Sequence, residues 1–180
     1  MDKVERFGEI AHKVAEGVGW QLDQLYFFYS DIPQCILDGA TKRLKEFEEM
    51  IVSDSFDKDK AMSLLEGMAI EGMTGLHYLI SGRNNYVSKT ANTMTDLYAR
   101  KNADYGDSFD KSMDKFGMVV SAIRLGDKVN RISSLVTRRQ EAQVKDESIA
   151  DTFLDLACYA IMTMVWVLEK DKLSKENLIL

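Results

Sequence analysis

A chain of 180 residues with 46% hydrophobic side chains can bury one substantial core, so one domain, or one domain with an appended helical arm, is expected. A formal charge of −6 argues against the broad basic surface that displaces counterions from nucleic acid, so no nucleic-acid partner is expected, while an anionic small molecule held by a local basic face or a metal ion stays compatible. Cys35 and Cys158 match neither a disulfide framework nor a zinc pattern, the start MDKVERFGEI has no signal-like pattern, and no uncharged run approaches the roughly 20 residues that span a bilayer, so a cytoplasmic chain without a membrane partner is expected.

Pro33 is the one proline, β-branched alternation is scarce, and apolar residues recur at three and four, which together predict an all-α helical bundle. Helices are predicted over 2–18, 21–30, 33–52, 58–81, 88–103, 117–139 and 147–171. Residues 1–85 read as an N-terminal helical region serving as dimerisation arm, lid or part of a pocket, and 86–180 as the helical core, the two forming one compact unit. In the first region the aromatic run LYFFYS reads as core or dimer packing before a base-stacking platform. His12 and His77 stand apart from each other and from the cysteines, and read as surface or core residues. The segment DKDKAMSLLEGMAIEGMTGLHYLISG sets Gly67, Gly72 and Gly75 among a broad apolar surface, a pattern for close approach of another helix, within the chain or at a subunit contact. The apolar faces left to cover predict a homodimer or larger homo-oligomer.

Further along, KNADYGDSF (residues 101–109) is more than a turn requires. A glycine stop followed by an Asp or Ser cap accounts for Gly106, Asp107 and Ser108. The alternative gives Tyr105 a stacking role, lets the backbone at Gly106 approach a ligand, and brings Lys101, Asp104 and Asp107 to the same place. In the next helix, Met118, Ala122, Leu125, Val129, Ile132 and Val136 form the buried stripe, and Arg124, Asp127, Lys128 and Arg131 form a charged one at i, i+3, i+4 and i+7. That stripe is either a solvated face or a binding face. In KDESIADTFLDLACYAIMTMVWVLEK, the carboxylates Glu147, Asp151 and Asp155 recur every four residues. Asp155 lies within apolar sequence, where an unpaired carboxylate costs several kcal/mol. Either a basic side chain of the preceding helix or a divalent cation must meet it. Asp151 and Glu147 also read as first-turn charge at a helix N-terminus.

The series KNADYGDSF, RLGDKVNRISSL and VKDESIADTFLDLACYAIM resembles the first nucleotide-modification-associated domain family, over about residues 88–170. More distantly, the carboxylate pattern of the last helix is similar to that of the all-α nucleoside triphosphate pyrophosphohydrolases of the MazG and dimeric dUTPase type. That resemblance implies a MazG-like or related bundle, Mg²⁺ as cofactor, and release of a monophosphate and pyrophosphate from a nucleotide. On it, Glu147, Asp151 and Asp155 are catalytic and hold the metal, and the nearest substitutes for the remaining ligands are Asp127, or Glu46, Glu48 and Glu49, which also read as a solvated face. Lys101, Asp104, Tyr105, Gly106, Asp107, Arg124, Lys128 and Arg131 would bind the nucleotide. The Glu-Glu-x-x-Glu group of those enzymes is missing, and the acidic spacing is four rather than three. A phage-encoded nucleotide-binding or nucleotide-signal-sequestering protein without hydrolysis is the alternative.

Overall fold

The computed structural model describes residues 2–29, 31–53, 56–81, 87–138 and 148–177. These form α1 (Lys3–Phe28), α2 (Ile32–Val52), α3 (Lys58–Ser81), α4 (Val87–Tyr105), α5 (Ser108–Phe116), α6 (Val119–Arg138) and α7 (Ile149–Asn177), with no strand among the described residues. Local chemistry sets the starts. Asp2 and Glu5 close a capping box on α1, the Asp2 carboxylate accepting from Glu5 N at 2.8 Å and the Glu5 carboxylate from Asp2 N at 2.9 Å. Asp31 caps α2, whose first turn holds Pro33, where a missing N–H costs nothing.

The all-α expectation holds, with two differences in the elements. Where separate helices were predicted over 2–18 and 21–30, α1 runs straight on. Gly17 is there for packing, since a Cβ on it would come within 2.8 Å of Ile70 Cδ1 on α3. The second difference is α5, a nine-residue helix that sequence periodicity did not separate from its connectors. The run LYFFYS also parts company with a core role. Leu25 is buried and Tyr26 packs against Tyr78, but Phe27 is 84% and Phe28 67% exposed.

The third helix is the centre of the bundle. Every residue from 71 to 77 is buried, and α1, α2 and α7 pack around it. The glycines of α3 set how closely they come. A Cβ on Gly72 would lie 2.7 Å from Ala157 N and 2.8 Å from Phe153 O, and one on Gly75 would lie 2.4 Å from the Phe153 ring, so the backbones of α3 and α7 are in near contact. Gly67 and, on α2, Gly39 do different work. They leave a slot for the Arg43–Glu71 ion pair, because Cβ atoms there would fall on Arg43 Nε and Glu71 Oε1. Glu71 is buried, Arg43 reaches it from the surface, and the second carboxylate oxygen has no partner. Burial therefore pushes the Glu71 carboxyl up to about 8, against the pull of Arg43.

Over Ile149–Asp171, α7 is long and apolar enough to cross a membrane by length and composition. More than half of that helix's most apolar window is buried in the bundle, where Phe153, Leu156, Ala157, Ala160, Ile161 and Met164 join the core. Helix α6 packs antiparallel to α7. Near its start Ser121 meets Thr163 at 2.7 Å, and two turns on Lys128 meets Asp155 at 2.9 Å, so position rises on one helix as it falls on the other. The predicted stripe of α6 faces inward, with Ala122, Leu125, Val129 and Ile132 buried. Helix α4 lies along α1, where Phe7 stacks on Tyr98 with ring centroids 4.3 Å apart. Residues on both sides of position 85 enter one buried cluster.

Candidate functional site

Residues 101–109 end α4 and begin α5. Gly106 and Asp107 both take left-handed backbone, with φ of 57° and 56°, and their N–H groups both donate to Asn102 O, at 2.9 and 3.4 Å. This closes the end of α4 in the manner of a glycine C-cap. Asp107 precedes α5 without capping it. Its carboxylate instead accepts from Asn102 Nδ2 at 2.6 Å and stands 3.7 Å from Lys3 Nζ. The left-handed conformation of a non-glycine residue costs about 1–2 kcal/mol, and these contacts offset it. Helix α5 is tied down at both ends. Lys3 hydrogen-bonds Asp110, and Asp114 accepts from Trp166 Nε1 at 2.8 Å beside Lys170 at 2.7 Å. Burial draws the Lys3 ammonium down, but Asp110, Asp107 and Glu169 outweigh it and hold it above its ordinary value.

Between α4, α5 and α7 this turn leaves a cavity of about 290 Å³. Its walls are Tyr98, Tyr105, Phe109 and Tyr159, with Lys101, Asn102, Ser108 and Asp155 as the polar groups and Cys158 and Met162 deeper in. Phe109 and Tyr159 meet at a centroid distance of 5.8 Å. Lys128 Nζ stands 5.9 Å above the Tyr159 ring. Tyr105 is 69% exposed on the rim. Asp155, the carboxylate whose sequence context demanded a cation, has two: Lys128 at 2.9 Å and Lys101 at 3.9 Å. Burial pushes the Cys158 thiol up to about 12, with Asp155 adding to the effect, so it stays protonated and is no nucleophile at neutral pH. Burial and Asp110 likewise raise the Tyr98 phenol to about 12.

The other sequence-derived residues divide. Asp151 closes a capping box with Ser148, accepting from its N at 2.9 Å and its Oγ at 2.6 Å, and returning Asp151 N to Ser148 Oγ at 3.2 Å. Those hydrogen bonds, aided by Lys101 and Arg131, hold its carboxyl below the usual range. Lys101, Lys128 and Arg131 thus gather around Asp151 and Asp155. Asp127 does not join them, because it lines a different groove, between α2 and α6, with Glu48 and Ile123. Arg124 and Asp104 are exposed and do not line the cavity. Glu147 lies outside the described residues. Among the described residues no three His, Cys, Asp or Glu side chains stand together as a metal cage. Asp155 is met by lysines and Asp151 is engaged as a cap, so these two described carboxylates do not by themselves offer the several oxygens that Mg²⁺ takes at once.

Asn102, Ser108, Phe109 and Tyr159 were not singled out from sequence as site residues. Phe109 closes the motif that was, and Tyr159 follows Asp155 by one helical turn, so the i+4 neighbour of a suspicious carboxylate was the available clue.

The fold and cavity define an all-α bundle with a small, aromatic-walled pocket whose polar groups include a lysine and a lysine-paired carboxylate. Residues 101–167, which supply the α5 and α7 walls and the end of α4, match the family described as nucleotide modification associated domain 1. No curated protein and no solved structure matches the chain.

Proposed function

We propose that the protein binds a nucleotide in the cavity between α4, α5 and α7. The observation that carries this reading is the combination of aromatic walls with the Lys101–Asp155–Lys128 cluster, all but Tyr98 inside the segment that matches the nucleotide-modification-associated family. Tyr105 offers an exposed ring for a base, as aromatic platforms do for unstacked bases. Lys101, held loosely by Asp155 at 3.9 Å, is the cation a phosphate takes first. Lys128, at 2.9 Å and mostly covered, stays with Asp155 inside the pocket. About 290 Å³ lies at the lower end of ligand-pocket volumes, which favours a ligand with one phosphate over one with three.

Hydrolysis with Mg²⁺ has less support, since the described carboxylates do not converge on a metal. The two readings separate in one experiment. The protein is incubated with nucleoside mono- and triphosphates, with and without Mg²⁺, and both bound ligand and products are scored. Binding without Mg²⁺ and without product is expected. Tyr105→Ala should weaken that binding by about 1–3 kcal/mol and Tyr105→Phe should preserve it, because the π-face remains. Equal affinity in the wild-type and Tyr105→Ala proteins refutes the stacking role, and turnover that depends on Mg²⁺ refutes the binder.

A further inference from the structure

The C-terminal part of α1 turns aromatic rings to water. Trp20 is 70% exposed, Phe27 84%, Phe28 67% and, at the C-cap, Tyr29 55%. Trp20 and Phe27, two helical turns apart, share one side of the helix, and Phe27 meets Phe28 edge to face at a centroid distance of 5.2 Å. The support beneath them is fixed, since Leu22 and Leu25 are buried and Tyr26 packs on Tyr78 of α3 with ring centroids 6.1 Å apart. At roughly 150–250 Å² for each aromatic residue, these four leave roughly 400–700 Å² uncovered. That reaches or passes the largest patch of a typical monomer, about 300–600 Å², and supplies half or more of the about 800 Å² that each partner of a stable dimer buries.

Beside these rings is a hollow of about 570 Å³, with Gly19, Leu22, Asp23, Tyr26 and Phe27 of α1 and Val87 of α4 among its walls. Gly19 is the unusual member. A glycine inside a helix costs about 1 kcal/mol against alanine, and the other glycine of this stretch, Gly17, is accounted for by Ile70. A Cβ on Gly19 would meet nothing within 4 Å among the described residues, so nothing inside the bundle uses its missing side chain. A surface pressed against α1 from outside would. A protruding ring and a hollow side by side on one face are what a two-fold pairing needs, because each copy then offers the ring that the other receives. The charges disfavour a lipid surface. Glu16 and Asp23 are exposed on this part of α1, and the sequence from Val14 to Thr41 contains no Lys or Arg, the residues by which a helix lying on a membrane engages anionic headgroups.

We propose that the C-terminal part of α1 is the interface of a homodimer, closed by a two-fold axis that seats Phe27 of each copy in the hollow beside Gly19 of the other. Trp20 and Phe28 flank the seated ring, as aromatic residues do at the centre of interfaces. The proposal goes beyond the nucleotide reading and stands if that reading fails, because the hollow borders the start of α4 and the nucleotide cavity its end.

The test is sedimentation equilibrium of the full chain at micromolar concentrations, where twice the mass of one chain is expected. Phe27→Ser should weaken association by more than about tenfold, as truncation of a central aromatic anchor does. Gly19→Gln should weaken it as well by filling the hollow, while raising the Tm of the diluted, monomeric protein, since glutamine gains helix propensity and meets nothing in the lone chain. Phe116→Ser, at an exposed ring outside α1, should leave association unchanged. Both copies bring Glu16 and Asp23 to the seam, so association should tighten as salt screens them. A monomer at every concentration overturns the proposal, and so does a dimer that survives both Phe27→Ser and Gly19→Gln, which places the interface elsewhere. Mass that keeps growing past the dimer refutes the two-fold closure, association that loosens with salt refutes an apolar seam between like-charged copies, and a monomer that floats with phosphatidylcholine vesicles gives the rings to lipid instead.

Discussion

Glu71→Gln is the substitution whose effect can be worked out most fully. The carboxyl is buried, one oxygen meets Arg43, the other has no partner, and its pKa rises from 4.5 to about 8 on folding. A carboxyl with a raised folded pKa holds its proton more tightly in the folded state than in the unfolded chain. Its contribution to stability is therefore complete below the unfolded value and is lost as pH rises through the folded one. With one pKa unit equal to about 1.4 kcal/mol, the whole shift amounts to roughly 5 kcal/mol, of which about 3 kcal/mol has gone by pH 7. A glutamine has nothing to titrate. It keeps the shape of the slot left by Gly39 and Gly67 but gives up the charge on Arg43's partner. Urea unfolding of both proteins from pH 5 to pH 9 isolates the effect, because all other titrations cancel in the difference. Wild type should lose several kcal/mol relative to Glu71→Gln over that range. A difference that stays flat, or that grows in favour of wild type, would mean that Glu71 is ionised throughout and that Arg43 outweighs burial.

Two further outcomes are expected. Gly72→Ala gains up to about 1 kcal/mol of helix propensity, yet its methyl group falls on the backbone of α7, so overpacking of about 1–3 kcal/mol should dominate and lower Tm. A variant that melts at or above wild type would show that α3 and α7 can separate at little cost. Asp155→Asn removes the carboxylate that occupies Lys101 and Lys128, so it should raise affinity for a nucleoside monophosphate several-fold in calorimetry, whereas loss of binding would give Asp155 a direct part in holding the ligand.

Much of the fold was legible because apolar spacing in long helices is redundant. The helix predicted over 58–81 matches Lys58–Ser81, and the buried stripe of α6 came directly from its spacing. Where reading failed, a tertiary contact or a short length was responsible. The break predicted between 18 and 21 is bridged by packing of α1 on α3, where Gly17 meets Ile70, and α5 is too short, with Met113 its one buried residue, for periodicity to mark it. At the site, Asp155 was legible because a carboxylate in apolar sequence requires a cation, and an antiparallel neighbour supplied Lys128. Glu71 sits in an equally apolar context and went unread by the same rule. The charged stripe on α6 splits, because consecutive residues on a helix diverge by about 100°: Lys128 turns to α7 while Asp127 turns to the α2 side. Asn102 could not be singled out, since its hydrogen bond exists only once Gly106 and Asp107 adopt left-handed backbone.

The near contact of α3 with α7 means that the matched segment is not a folding unit by itself. Residues 101–167 contain the α7 half of that seam but none of α3, and they contain only the end of α4, whose flank is covered by α1. Excised alone, the segment would turn Phe153, Leu156, Ala157 and Ile161 to water, so its pocket has no rigid wall without the helices that precede it.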